Sequence, residues 1–228
     1  MTSKNSKKIA SRSSLADKIA KIIVKPFHSF IIANRRVEIL SCQIAKFLPD
    51  NQGLTGLDVG CGSGEVAKLI QTKKHNLHLT GVDVLVRKDA MINVIEFDGK
   101  VLPFADKSFD FTMLIDVLHH TDNPAILLEE CVRVSRKFII IKDHKCESWY
   151  DRIRLNLMDW IGNRAYGVYL PYNFLSNRKW HDLYSDAQLS SELTVSKLNL
   201  YPQPLSFVFD STLHFVSKLE VPDVSRET

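Results

Sequence analysis

Three glycines at alternate positions, Gly60, Gly62 and Gly64, join an apolar run to a helical pattern, and few folds accommodate that junction. Leu54 to Val59 reads as a buried strand, and Glu65 to Ile70 opens a helix. Glycine lets the backbone turn tightly there and come close to a ligand, where a Cβ would collide. The free N–H groups at the start of the helix then face that ligand. The spacing is G-x-G-x-G, not the dinucleotide pattern G-x-G-x-x-G. Asp58 lies two residues before the first glycine. A carboxylate in that place suits a cationic ligand and repels a pyrophosphate.

Further strands follow in order. Leu77 to Val84 is a second strand with Asp83 and Val84 at its carboxyl end, and Asp83 lies 23 residues past Gly60. An acid so placed accepts hydrogen bonds from ribose hydroxyls. Asn93 to Phe97 is a short strand that ends at Asp98-Gly99, a pair suited to an adenine amino group. The turn Leu102-Pro103-Phe104 with Ser108-Phe109-Asp110 feeds a strand from Phe111 to Ile115, which Asp116-Val117-Leu118-His119-His120 terminates. Asp122-Asn123-Pro124 caps a helix through Val134, and Lys137 to Lys142 is a fifth strand.

The block from Leu54 to His144 resembles the type 11 family of class I S-adenosylmethionine-dependent methyltransferases. It carries the glycine loop, the Leu-Pro-Phe and Ser-Phe-Asp turn, and Leu-His-His after strand four. The resemblance implies S-adenosyl-L-methionine (SAM) as cofactor. It places Asp58, Gly60, Gly62 and Gly64 near the methionine moiety and Asp83, with Val84, at the ribose. Asp98 and Gly99 fall at the adenine, and Ile115 and Asp116 at the methyl end. It also implies a Rossmann-like α/β fold: a doubly wound, seven-stranded sheet, mostly parallel with the last strand antiparallel, and helices on both faces. Glu192 to Leu200 and His214 to Val221 would supply the last two strands, joined through Tyr201-Pro202-Gln203-Pro204.

Composition fits one compact domain: 228 residues, 45% hydrophobic and 25% charged. Four cysteines form no C-x-x-C pair, which fits reduced thiols in a cytoplasmic setting. No apolar run approaches the ~20 residues of a membrane span. Charge is unevenly placed. Residues 1–25 hold seven Lys/Arg and one acid, so the remainder is close to neutral. A neutral body argues against a nucleic-acid groove. The chain also lacks the Asn-Pro-Pro-Tyr signature of amino-group DNA methyltransferases after strand four.

Within residues 1–25, Ser14-x-x-Asp17 starts a helix with Leu15, Ile19, Ile22 and Ile23 on one stripe and Lys18, Lys21 and Lys25 opposite. Three readings compete for it: packing on the core, peripheral contact with an anionic membrane, or a targeting segment. Core packing is the default for so short a helix. A second helix is expected over Ser29 to Leu48, with Phe30, Val37, Leu40, Ile44 and Phe47 on one face.

Residues 145–190 form an expected insertion after strand five. Trp149, Trp160 and Trp180 all fall there, with a helix from Glu147 to Ile161 and another starting at Ser176. An insertion after strand five lies over the ligand crevice, which opens at the carboxyl ends of the strands. Tyr166, Tyr169 and Tyr172 are therefore expected to bind substrate, and Trp160 to form the insertion's own core. His119, His120 and His144 are the candidate general bases, each weighed against a structural role. No metal-ligand spacing is evident.

The sequence thus describes a basic segment over 1–25 and a single domain over 26–228. The expected function is SAM-dependent methyl transfer to a small apolar or aromatic acceptor, with oxygen, nitrogen or carbon left open. A SAM-binding partner protein without catalysis is the alternative. A nicotinamide oxidoreductase is disfavoured by the glycine spacing and Asp58. Oligomeric state is not legible.

Overall fold

The strand pattern closes into one sheet of seven strands in the order β3-β2-β1-β4-β5-β7-β6. A computed structural model describes residues 32–50, 52–163, 170–210 and 212–222. The elements are α1 (Asn34–Phe47), β1 (Leu54–Val59), α2 (Glu65–Lys73), β2 (Leu77–Asp83), β3 (Val94–Glu96) and β4 (Phe109–Ile115). A 3-10 turn (Leu118–His120), α3 (Pro124–Val134), β5 (Ser135–His144), α4 (Trp149–Asn163) and α5 (Asn177–Asp186) follow. The chain then runs through β6 (Ser190–Ser196), α6 (Leu205–Phe209) and β7 (His214–Glu220). Strands β1 to β5 pair in parallel, and β7 runs antiparallel to both β5 and β6. The expected sheet, with its last strand antiparallel, is what forms.

Central strands read as near-continuous apolar runs because both faces of the sheet are covered. Alternate residues then go to opposite cores. Phe111, Met113, Phe138 and Ile140 join Leu40, Ile44 and Ile70 on one face. Leu57, Val59, Leu114, Ile139 and Ile141 join Leu128, Cys131 and Trp180 on the other. Phe111 stacks on Phe138 at 5.1 Å, and Gly56 makes room for it, since a Cβ there would come within 2.5 Å of the Phe111 ring. Asn123 caps α3 by accepting from the Ala125 N–H, with Pro124 in the first turn, as the sequence indicates.

Some expectations shift. The α-helix before β1 is described from Asn34 onward, while Ser29 to Ile31, where it was expected to start, lie outside the described residues; Val37 is only half-buried. Strand β5 runs from Ser135 to His144, beyond the expected Lys137–Lys142, because β7 pairs with it out to His144. After Pro204 the chain adds α6, where a bare connection was expected. Trp180, not Trp160, is the buried tryptophan of the insertion. Its ring is 4% exposed against Phe215 and its indole N–H donates to the His144 carbonyl at 2.9 Å, whereas Trp160 is half-buried. The amphipathic stretch in residues 1–25 and Phe30 lie outside the described residues. No helix among the described residues is long and apolar enough to cross a membrane.

Candidate active site

Strand order reverses between β1 and β4, and a crevice opens there at the carboxyl ends of the parallel strands. It has a volume of about 920 Å³. One end is lined by Asp58, Gly60, Gly62, Asp83 and Val84, with Asp98, Gly99 and Ile115 beside them. The other end is lined by Asp116, His119, His120 and His144 with Arg36, Val37, Leu40, Met158, Asp159 and Tyr201.

The loop after β1 is shaped by backbone demands. Gly60, Gly62 and Gly64 have φ of 70°, 58° and 73°, a region that L side chains avoid. A Cβ on Gly60 would come within 2.7 Å of Val117, and one on Gly64 within 2.5 Å of Ile92. The Gly62 N–H donates to Asp83 Oδ2 at 2.8 Å, and the Leu85 N–H donates to Asp83 Oδ1 at 3.0 Å. Asp83 therefore braces the loop from β2 while it faces the crevice. Asp98 is exposed and accepts from the Lys100 and Val101 N–H groups, both at 2.8 Å. Asp58 is 3% exposed, and burial with nearby Asp83 pushes its carboxyl up to about 8.

At the other end lies a buried charge cluster. Asp116, held at φ 57°, pairs with both Arg36 from α1 and Lys142 from β5. Burial alone would raise the Asp116 carboxyl, but the two cations hold it well below the usual carboxylate range. Lys142 is fully buried, which lowers its ammonium pKa, and Asp116 counters that. His119 Nδ1 meets Asp143 Oδ1 at 2.7 Å, and its Nε2 lies 3.8 Å from Asp159 Oδ1. Burial works against its charge, yet Asp143 and the neighbouring acids carry it up to about 10. His119 is thus an imidazolium at neutral pH. His120 Nε2 lies 3.6 Å from Asp159 Oδ1, and burial together with the His119 charge pushes its pKa down. Burial and Lys142 push His144 well down.

The histidines are positioned by the insertion. Phe174 stacks on His119 at 5.1 Å, the Asn173 N–H donates to the His119 carbonyl, and Asn173 Nδ2 donates to the Thr121 carbonyl. Ligand atoms of His119, His120 and Asp159, and of Asp116, His119, Asp143 and His144, converge within 4.8 Å. Either set could reach a divalent cation. Neither is a good metal shell, because Arg36 and Lys142 already neutralise Asp116. His120 Nδ1 is also buried without a hydrogen-bond partner, whereas a metal-bound imidazole ordinarily donates from its second nitrogen.

Of the expected site residues, the crevice gathers Asp58, Gly60, Gly62, Asp83, Val84, Asp98, Gly99, Ile115, Asp116, His119, His120 and His144. Gly64 sits behind the loop at the start of α2. Tyr172 is not a lining residue. It is half-buried against the core, with its ring 6.4 Å from that of Phe174. Tyr166 and Tyr169 lie outside the described residues. The residues that sequence reasoning missed are Arg36, Lys142, Asp143, Asp159 and Tyr201. Strand β5 is buried along nearly its whole length and shows no alternation that would single out Lys142. Asp159, one residue from Trp160 in an aromatic helix, carries no motif.

Residues 57–138 match the model of the family described as "Methyltransferase domain". Among curated relatives, an O-methyltransferase of Aspergillus nomiae is 34% identical over 112 residues, 43% of this chain and 49% of that one. The 27-O-demethylrifamycin SV methyltransferase of Amycolatopsis mediterranei is 29% identical over 110 residues, 42% of this chain and 40% of that one. The chain therefore spans half or less of the length of these two relatives. A SAM-dependent methyltransferase structure from Thermotoga maritima superposes with TM-score 0.64 at 18% identity, covering 90% of this chain and 98% of that one. Residues 57–138 are therefore similar to a methyltransferase domain, and they sit in a fold shared with that SAM-dependent methyltransferase structure.

Proposed function

We propose that the protein transfers a methyl group from SAM to a hydroxyl of a small, largely apolar acceptor. The observation that carries this reading is one crevice joining a glycine-and-acid cofactor end to a neutral imidazole, His120, set among charged partners. When bound, SAM supplies an electrophilic methyl on a sulfonium. The chain's own residues fit it. The glycines leave the loop backbone open, Asp83 accepts from ribose hydroxyls, and Asp58 faces the amino group. Val37, Leu40 and Met158 offer apolar surface to the acceptor. His120, neutral at pH 7, takes the proton from the acceptor hydroxyl, and Asp159 stabilises the imidazolium that forms. His119, clamped by Asp143, keeps His120 neutral and so ready to accept.

Aligned groups and an activated oxygen account for the step without further machinery. The curated relative from Aspergillus nomiae, named an O-methyltransferase, supports oxygen as the attacking atom. Incubation with methyl-labelled SAM and a panel of phenols, alcohols and amines tests the reading. Label in ethers supports it; label confined to amines points to nitrogen as the acceptor atom.

Two outcomes follow for the cofactor end. Asp83→Ala should weaken SAM by about 1.5–3 kcal/mol, through loss of a charged acceptor and of the brace on Gly62. Calorimetry is the check, and an unchanged dissociation constant removes Asp83 from the site. Asp58 yields a pH effect. Its carboxyl holds a proton to about pH 8 in the folded chain, against 3.8 as its ordinary value. The ligand-free protein therefore loses stability as pH rises between those two values. A ligand ammonium would expel that proton, so SAM affinity should climb with pH up to about 8. Affinity flat across that range would show that Asp58 does not meet the amino group.

A further inference from the structure

The outer face of α4 and the neighbouring α6 carry large apolar side chains that the fold leaves open. Trp149, Ile153 and Leu157 stand one helical turn apart on α4 and are 76%, 53% and 45% exposed. Tyr150, also exposed, lies under the Arg154 guanidinium at 4.6 Å, and Arg154 Nη1 donates to the Val208 carbonyl at 2.9 Å. That bond joins the face to α6, where Phe207 is 86% exposed beside Val208. Single exposed apolar residues need no explanation, but six on two adjoining elements do.

The same two segments border the crevice. Met158 and Asp159 on α4, and Tyr201 ahead of α6, line its acceptor end. The first turn of α1 is fastened there too, since Arg35 Nη2 donates to the Asn199 carbonyl at 3.1 Å. Only residues 26–33 separate α1 from the segment 1–25, with its seven basic residues and single acid. The basic segment therefore joins the described fold at α1, whose first turn contacts the Asn199 carbonyl ahead of α6.

We propose that this face is a docking surface for an anionic lipid bilayer. Trp149, Tyr150 and Phe207 would enter the headgroup boundary, and the basic residues of 1–25 would meet the anionic lipids. Charge decides between the occupants of such a face. A near-neutral body with a strongly basic leading segment is complementary to an anionic surface and not to a second copy of itself. Docked in this way, the crevice opens beside the lipid phase, which suits an apolar acceptor. That last point rests on the methyl-transfer reading, whereas the docking does not.

The test is co-sedimentation of the full-length protein with phosphatidylcholine vesicles and with vesicles doped with phosphatidylglycerol, at low and high salt. SAM titration is run on every variant to show an intact fold and an independent cofactor site. The wild type should partition onto the doped vesicles at low salt and be released by high salt. The variant Trp149→Ser with Ile153→Ser and Phe207→Ser should lose about tenfold or more in partition. The combined variant Lys4→Gln, Lys7→Gln, Lys8→Gln, Lys18→Gln and Lys21→Gln should cost a similar factor. The proposal is overturned if the wild type ignores anionic vesicles, or if either variant binds them as well as the wild type does. A wild-type dimer that the serine variant dissociates, without vesicle binding, assigns the face to self-association and overturns it too.

Discussion

Asp116→Asn should cost about 3–5 kcal/mol of folding stability, because it strands the fully buried Lys142 and removes the partner of a partly exposed Arg36. Asp116 is the shared partner of Arg36 and Lys142, and Lys142 is fully buried. Asparagine keeps the shape and tolerates the positive φ of 57°, so the loss reads as charge and not strain. Deprotonation of Lys142, already favoured by burial, limits the damage but leaves an unpaired amine. The urea midpoint should fall at unchanged slope. Adding Lys142→Met should recover much of the loss, since an apolar side chain of similar length does not need the carboxylate. A midpoint unmoved by Asp116→Asn would mean that water screens the cluster.

His120→Ala should lower turnover by roughly 10²–10⁴-fold while SAM affinity stays within error, as expected for a residue that acts only on the acceptor proton. The pH profile separates it from a packing defect. His120 titrates below its ordinary value and His119 at about 10, so the wild-type rate should hold level across neutral pH. It should fall in acid as His120 takes a proton. The variant should lose the acid limb. Equal rates in variant and wild type would assign the transfer to alignment alone.

The glycine-and-acid end of the crevice was legible in the sequence because its residues obey local rules. A strand, a turn that requires positive φ at Gly60, Gly62 and Gly64, and an acid ending the next strand are contiguous signals. Asn123-Pro124 likewise announces the start of α3 within two residues. The histidine end was only half legible. His119, His120 and His144 stand at strand ends, where chemistry gathers, but the groups that set their charge come from elsewhere. Arg36 arrives from α1, Asp143 from inside a buried strand and Asp159 from a helix in the insertion, and no spacing links them. The tyrosines and tryptophans of that insertion drew attention as surface for an acceptor. In the fold, Trp180 bonds to the His144 carbonyl and Phe174 stacks on His119. Phe174 and Trp180 hold the imidazoles in place, whereas Trp149 and Tyr150 of the same insertion stay exposed. Composition alone cannot tell an aromatic that lines a cavity from one that braces its wall.

The most direct measurement is a calorimetric titration of SAM into the full-length protein at neutral pH, in two buffers of different ionisation enthalpy, with NADH as the control ligand. The account predicts saturable binding of SAM at one site, none of NADH, and a heat that changes with the buffer as Asp58 gives up its proton. No saturable heat with SAM, or saturation by NADH instead, would contradict it.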